Sequence, residues 1–216
     1  MFKSVIFDLD GTILNTLEDL TDAANYVCKQ NGWPEHDQTS IRSLVGHGIP
    51  NLVRSLAPSG GHSPLLMVTA LQQFTQYYKA HNMDCTCPYP QVLEMLQQLK
   101  AAGITMGVYS NKQHCFCQKL VEHYFPDIFV YAQGKEEGVS LKPSVEGTER
   151  VLAAMGVDKA TTLYVGDSDT DMETAQNAGL PACAVTWGFR DAHQLQAYNP
   201  AYLVSTAQKI VDIVLG

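Results

Sequence analysis

No stretch of this 216-residue chain stays apolar for the roughly 20 residues that a membrane-crossing helix needs. Positive charge is scarce. Only 14 Lys and Arg stand against 22 Asp and Glu, and no segment gathers them into a basic patch, so a nucleic-acid-binding face is not expected. Internal repeats and low-complexity tracts are missing as well. Apolar residues make up 45% and charged ones 17%, the proportions of a globular chain with a sizeable core, and the length suits one large domain or one domain with an insert. The apolar start is broken early by Asp8 and Asp10, which does not suit a secretory signal. A soluble, cytoplasmic protein with no membrane or nucleic-acid partner is expected.

Zinc spacing is lacking too. Cys85/Cys87 and Cys115/Cys117 form C-x-C pairs with His81 and His114 nearby, whereas structural zinc usually separates its cysteines by two to four residues. Cys115 and Cys117 also fall in a predicted helix, where positions i and i+2 do not share a face. All six cysteines, Cys28 and Cys183 included, are expected as free thiols of a reducing compartment.

What is present is alternation. Residues 4–7 (SVIF), 104–109 (ITMGVY), 128–131 (IFVY), 162–165 (TLYV) and 182–185 (ACAV) read as buried strands. Helical spacing fills 92–102, 114–123, 145–155 and 171–178, with Gly103, Gly156 and Gly179 placed as stops. Strands alternating with helices predict an α/β fold, a doubly wound five-stranded parallel sheet. Residues 16–82 break the pattern with helical stretches at 17–30, 41–45, 49–56 and 65–81, interrupted by a turn-rich break at 57–64 (APSGGHSP). The expected organisation is a core of 1–15 and 83–216 with a helical cap of 16–82 inserted.

Ligands of an open parallel sheet bind beyond the carboxyl ends of its strands. Those ends carry the unusual residues here: Asp8-Leu9-Asp10-Gly11-Thr12, Ser110-Asn111-Lys112, Lys142-Pro143 in the loop after the third strand, and Gly166-Asp167-Ser168-Asp169-Thr170-Asp171. Each alone could be a helix cap or a turn. Two carboxylates two residues apart at a buried strand exit repel, so they call for a nearby positive group or a division of acid and base roles.

In order along the chain, DLDGTILNT, YSN, LKP and GDSDTD resemble the four motifs of the haloacid dehalogenase superfamily, and the helical insert resembles its first cap type. VGHGIPNLV and CPYPQVLEMLQQLKAAG look most like phosphoglycolate phosphatases; Asn15 and Gln91 depart from the usual Asp and Gly. The resemblance implies a Rossmann-like core and a Mg²⁺-dependent phosphatase of a small phosphorylated metabolite, phosphoglycolate being the best guess. Asp8 is then the nucleophile that becomes an aspartyl phosphate, and Asp10 the acid/base. Asp8, Asp10 through its main-chain carbonyl, and Asp167 are implied metal ligands. Ser110, Asn111 and Lys142, with the N–H groups of Gly11 and Thr12, are implied to hold phosphate, and Asp171 to hold Lys142 or a metal-bound water. Asp169 reads as a solvated or capping residue. Tyr77, Tyr78 and Met67 read as cap packing, His114 as a surface position at a helix start, and His47, between glycines, as a residue that could face substrate. A phosphosugar mutase uses the same carboxylates and is the alternative within the superfamily. A dehalogenase would lack the carboxylate at position 10. A phospho-acceptor signalling module would need an open face where this chain has a large insert, and a non-catalytic binding protein would tolerate loss of a motif where none is lost.

Overall fold

Ser4–Phe7 (β1) is buried at every position and can only be a central strand. In the computed structural model, which describes residues 1–58 and 63–216, it pairs in parallel with Thr105–Gln113 (β4) on one side and Thr162–Gly166 (β6) on the other. Tyr131–Lys135 (β5) extends the sheet beyond β4; Ala182–Val185 (β7) and Tyr202–Val204 (β8) extend it beyond β6. The order β5-β4-β1-β6-β7-β8 makes six parallel strands rather than the expected five. The sixth, β8, has three residues of which only Val204 is buried, too little for a periodic signal.

Two more expectations shift. The apolar run 128–131 is not a strand until Tyr131; Ile128 is buried in the preceding turn, and Phe129 sets its ring against Phe7 and Phe125. Val130 is exposed, and its N–H bonds the Met106 carbonyl at the approach to β5. β4 continues four residues past Tyr109, with a register irregularity against β5 between Tyr109 and Gln113. Ser110, Asn111 and Lys112 therefore lie on the strand's own extension.

Val92–Ala101 (α5) packs on Ala207–Leu215 (α10), and Val145–Met155 (α7) packs on Asp169–Ala178 (α8). His114–Tyr124 (α6) lies on β4 and β5, and Ala192–Gln196 (α9) beside β8. Gly156 and Gly179 close α7 and α8 in the left-handed conformation. Strand order reverses at β1: the chain proceeds outward through β4 and β5, then returns to β6 on the other side. A crevice forms at such a switch point, beyond the end of β1.

The chain divides into two units, residues 1–15 with 88–216, and residues 16–87. It leaves the first through Leu14–Asn15 (β2) and returns through Cys87–Pro88 (β3), two short strands that pair. The second unit is helical: Leu17–Asn31 (α1), Gln38–Leu44 (α2), Ile49–Leu56 (α3) and Pro64–His81 (α4). α1 packs on α4 around Ala24, Val27, Phe74 and Tyr78, all buried, while Tyr77 stacks between Tyr26 and His81. Buried Asp19 accepts from the Cys85 and Thr86 N–H groups and the Thr86 hydroxyl at 2.6–2.9 Å, tying down the returning segment. Met67 is half-buried on α4, and of the turn-rich break at 57–64, residues 59–62 lie outside the described residues. No helix among the described residues is long and apolar enough to cross a membrane.

Gly134 on β5 has no room for a side chain. A Cβ there would sit 2.6 Å from both the Lys112 carbonyl oxygen and His114 Cα, backbone atoms that cannot step aside. Gly134→Ala should lower stability by about 1–3 kcal/mol, the cost of an overpacked core site, read as a fall in the thermal midpoint.

Candidate active site

Asp8 extends β1 by one residue, its N–H bonding the Val165 carbonyl at 2.9 Å, and is almost fully buried. The chain then coils: the Leu9 carbonyl accepts from Thr12, Ile13 and Leu14, and Gly11 donates to Leu14 at 2.9 Å. The N–H groups of Gly11 and Thr12, implied phosphate ligands, are thus engaged inside the turn. Gly11 serves otherwise. Its φ of 88° favours glycine, and a Cβ would run into the Asp167 carboxylate. The Thr12 hydroxyl donates to Asp167 Oδ1 at 2.8 Å.

Lys142 ends the loop after β5 with its ammonium 2.6 Å from Asp8 Oδ1 and 2.7 Å from Asp171 Oδ1. Asn111 holds it there. Its side chain accepts from the Lys142 N–H at 2.8 Å and donates to the Lys142 carbonyl at 3.2 Å, a two-bond clamp between β4 and the loop. Sequence reasoning implied phosphate binding by Asn111; its side chain is engaged in seating the lysine. Ser110, buried one residue earlier, accepts from the Lys112 N–H at 3.2 Å.

Asp167 and Asp171 arrive from the turn between β6 and α8. Ser168 caps α8, and the Asp171 carboxylate reaches back to the Ser168 N–H and hydroxyl in a capping box. The same carboxylate takes Lys142 and the Tyr164 hydroxyl on its other oxygen. Tyr164, read from sequence only as a strand residue, is therefore part of the site, and an alternating strand pattern gives no sign of that. The loop after β7 was missed altogether. Its Phe189 N–H donates to Asp167 Oδ2 at 2.6 Å, Trp187 Nε1 to the Thr12 carbonyl at 3.0 Å, and Arg190 Nε to Asp169 Oδ1 at 2.9 Å. Asp169, read as solvated or capping, does lie in the first turn of α8 but is paired.

Asp8, Asp167 and Asp171 each offer an oxygen within 4.8 Å of the others. Three buried carboxylates against one ammonium leave two negative charges uncompensated. Burial, then Asp171, push Asp8 well above the ordinary carboxylate range against the pull of Lys142. The same two causes lift Asp167 to about 7, although the Phe189 N–H and Thr12 hydroxyl oppose them. Burial works against the charge on Lys142, but Asp171 and Asp8 hold it well above its usual value. Oxygen donors with surplus negative charge suit a hard divalent cation. The Asp10 side chain stands outside this cluster, 2.8 Å from Lys112 Nζ. His114 begins α6, and its ring Nδ1 accepts from the Gly134 N–H. His47 is exposed between Gly46 and Gly48 in the helical unit. The six cysteines are free; Cys115 is exposed and Cys117 buried, as residues two apart on a helix should be.

Comparison with known proteins bears on the family of the whole chain. The family profile for haloacid dehalogenase-like hydrolases matches residues 5–185. A phosphoglycolate phosphatase of Vibrio parahaemolyticus is 28% identical over 98% of this chain and 96% of its own. One of Chromobacterium violaceum is 33% identical over 90% of each. The crystal structure of a phosphoglycolate phosphatase candidate from Lactobacillus delbrueckii subsp. bulgaricus superposes with a TM-score of 0.93 at 33% identity, covering 100% of this chain and 99% of that one.

The clamp on Lys142 can be tested by itself. Asn111→Ala leaves a buried N–H and a buried carbonyl without their partner, at about 1–3 kcal/mol for each unsatisfied group. Urea unfolding in chelator should show a lower midpoint with an unchanged slope.

Proposed function

The chain belongs to the haloacid dehalogenase-like hydrolases and is a phosphoric monoester hydrolase, and we propose that it hydrolyses a small phosphorylated metabolite, phosphoglycolate in the first instance, with Mg²⁺ and through a phosphoryl group carried on Asp8. The observation that carries this reading is the convergence of Asp8, Asp167, Asp171 and Lys142 at the end of β1, with the Asp10 carboxyl set apart from them. The helical unit is read as a cap that selects the organic part of the substrate, and the protein as cytoplasmic.

The chain's residues divide the work. An Asp8 carboxylate oxygen bonds to phosphorus while the bond from phosphorus to the leaving oxygen breaks, and Asp10 gives that oxygen its proton. Water then adds to the phosphorus of the aspartyl phosphate, Asp10 takes the water's proton, and the bond to Asp8 breaks to release inorganic phosphate. Lys142 neutralises charge on the phosphoryl oxygens, and the Ser110 hydroxyl is placed at the same sheet edge to donate to them. Asp171 and the Asn111 clamp fix where the Lys142 ammonium points. Asp8 and Asp167, with the main-chain carbonyl of Asp10, would hold Mg²⁺, which when bound supplies positive charge against the developing charge of the transfer. Release of one inorganic phosphate per substrate, with no rearranged phosphate ester, separates this reaction from that of a mutase.

Two outcomes are expected. Asp167→Asn is isosteric, since the amide oxygen can accept from Phe189 and the amide N–H₂ can donate to Thr12 after its hydroxyl turns. In chelator the variant should melt no lower than the parent, because a repelling buried charge is gone. Mg²⁺ at about 100 times its dissociation constant should stabilise the parent by about 2.7 kcal/mol and the variant far less. Equal stabilisation of both would remove Asp167 from the cation site.

The second outcome concerns the two carboxylates of the opening motif. With an aryl phosphate, whose leaving group needs little protonation, Asp10→Asn should accumulate a covalent phosphate on the peptide bearing Asp8, seen by intact mass after acid quench. Asp8→Asn should carry none. A label on Asp8→Asn, or on any other residue, would overturn the mechanism.

A further inference from the structure

Lys112 has no part in the reaction as written above, yet its side chain is only 2% exposed and its ammonium sits 2.8 Å from Asp10 Oδ1, itself 14% exposed. A lysine buried this deeply is costly unless paired, so the fold sets it against that carboxyl at some expense. The site therefore has two buried ammonium groups with separate partners: Lys142 on Asp8 and Asp171, and Lys112 on Asp10.

Their mountings differ in a telling way. Lys112 lies on the extension of β4, beyond the residues that pair with β1 and inside the stretch from Tyr109 to Gln113 where the register against β5 shifts, with pairing resumed where Gln113 meets Lys135. Its own N–H is bound to the Ser110 hydroxyl, so the lysine and the serine are set by the same strand end. Asp10 lies past the end of β1, in a turn that bridges to Leu14. The end of β4 thus meets the Asp10 carboxyl with the ammonium of a lysine whose own main-chain N–H is fixed by Ser110.

We propose that Lys112 is a positioning residue for Asp10, resting on the function proposed above. With Oδ1 held by the ammonium, Oδ2 is the oxygen that carries the exchangeable proton. In the first half-reaction Oδ2–H gives its proton to the leaving oxygen as the Asp8–phosphorus bond forms and the ester bond breaks. In the second, Oδ2 takes a proton from the water that displaces Asp8 from phosphorus. Lys112 keeps all its protons throughout and touches neither substrate nor phosphate. Misplacing a reacting group by about 1 Å can cost about 10²-fold in rate, and an ion pair of this length governs position on that scale.

The consequence is a change in partition between the two halves, which a structural role alone would not produce. An aryl phosphate needs little proton donation to depart, so a loosened Asp10 slows mainly the water step. Lys112→Met should therefore lower kcat about 10²-fold with p-nitrophenyl phosphate, lower KM along with it so that kcat/KM changes far less, and raise the fraction of protein bearing phosphate on Asp8 above that of the parent in acid-quenched intact mass. Lys112→Arg, which keeps a cation in reach of Oδ1, should bring the labelled fraction back toward the parent's. Should the Met variant not fold, Lys112→Gln, which can still donate to Oδ1 without the charge, is read for the same fraction. A labelled fraction in the folded variant no higher than the parent's, whatever happens to the rate, overturns the proposal. A parent that never carries phosphate on Asp8, with Asp10→Asn equally unlabelled, overturns the functional reading and this inference together. Labelled Asp8 in Asp10→Asn with no rise for Lys112→Met sinks the inference alone.

Discussion

A single ammonium group, that of Lys142, stands among three carboxylates with almost no water to share their charge. Asp8 and Asp171 both bond to it, and Asp167 lies within reach of the same oxygens. In a low-dielectric pocket such charges do not tolerate misplacement, so the surrounding structure reads as a set of devices that fix the lysine. Asn111 clamps its backbone on both sides, the Tyr164 hydroxyl shares Asp171 with it, and Asn177 bonds the next carbonyl, that of Pro143. The raised carboxyl groups of Asp8 and Asp167 express the same imbalance from the other side. Surplus negative charge there is relieved by a proton or by a cation, and the phosphatase reading proposes a bound cation during turnover.

The sheet determines which residues can meet. β1 lies between β4 and β6, so Asp8 at its end faces the ends of both neighbours. From β4 come Ser110, Asn111 and Lys112; from the turn after β6 come Asp167 and Asp171. The loop after β7 closes the group by reaching across to both, with Phe189 on Asp167 and Trp187 on the Thr12 carbonyl. This last loop contributes its contacts chiefly through main-chain and indole N–H groups. Position 189 keeps its bond with any residue but proline, whereas position 188 has to be glycine, since a Cβ there would run into Asp167 and the Gly11 carbonyl.

The two acidic residues of the opening motif end in different company. Asp8 is buried with other acids and Lys142, whereas Asp10 is half-buried and turned to Lys112. Residues i and i+2 of an extended chain point to the same side, so the separation comes from the turn: past Asp8 the chain coils about the Leu9 carbonyl, and Asp10 leaves the strand direction. The separation resolves the repulsion that the bare sequence raises, since each acid meets its own lysine.

Strand and helix alternation, the helical insert and the four motif positions were legible because they follow from periodicity and from residue types that few local structures require. Three-residue β8 was not, because one buried residue has no period, and 128–131 read as a strand because a short apolar run looks the same whether it pairs or only leads into a strand. At the site, the sequence by itself determined that Asp8, Asp10, Ser110, Lys142, Asp167 and Asp171 lie at strand ends of one sheet. Only the tertiary structure decided their partners: that Asp171 rather than Asp10 joins Asp8 and Asp167, that Asn111 serves Lys142, that Gly11 makes room for Asp167, that Lys112 meets Asp10, and that Tyr164 belongs to the site at all. The physical reason is range. Periodicity and turn chemistry act over a few residues of chain, whereas Lys112 and Asp10 are 102 residues apart and Lys142 and Asp8 134, and only the folded sheet sets those distances.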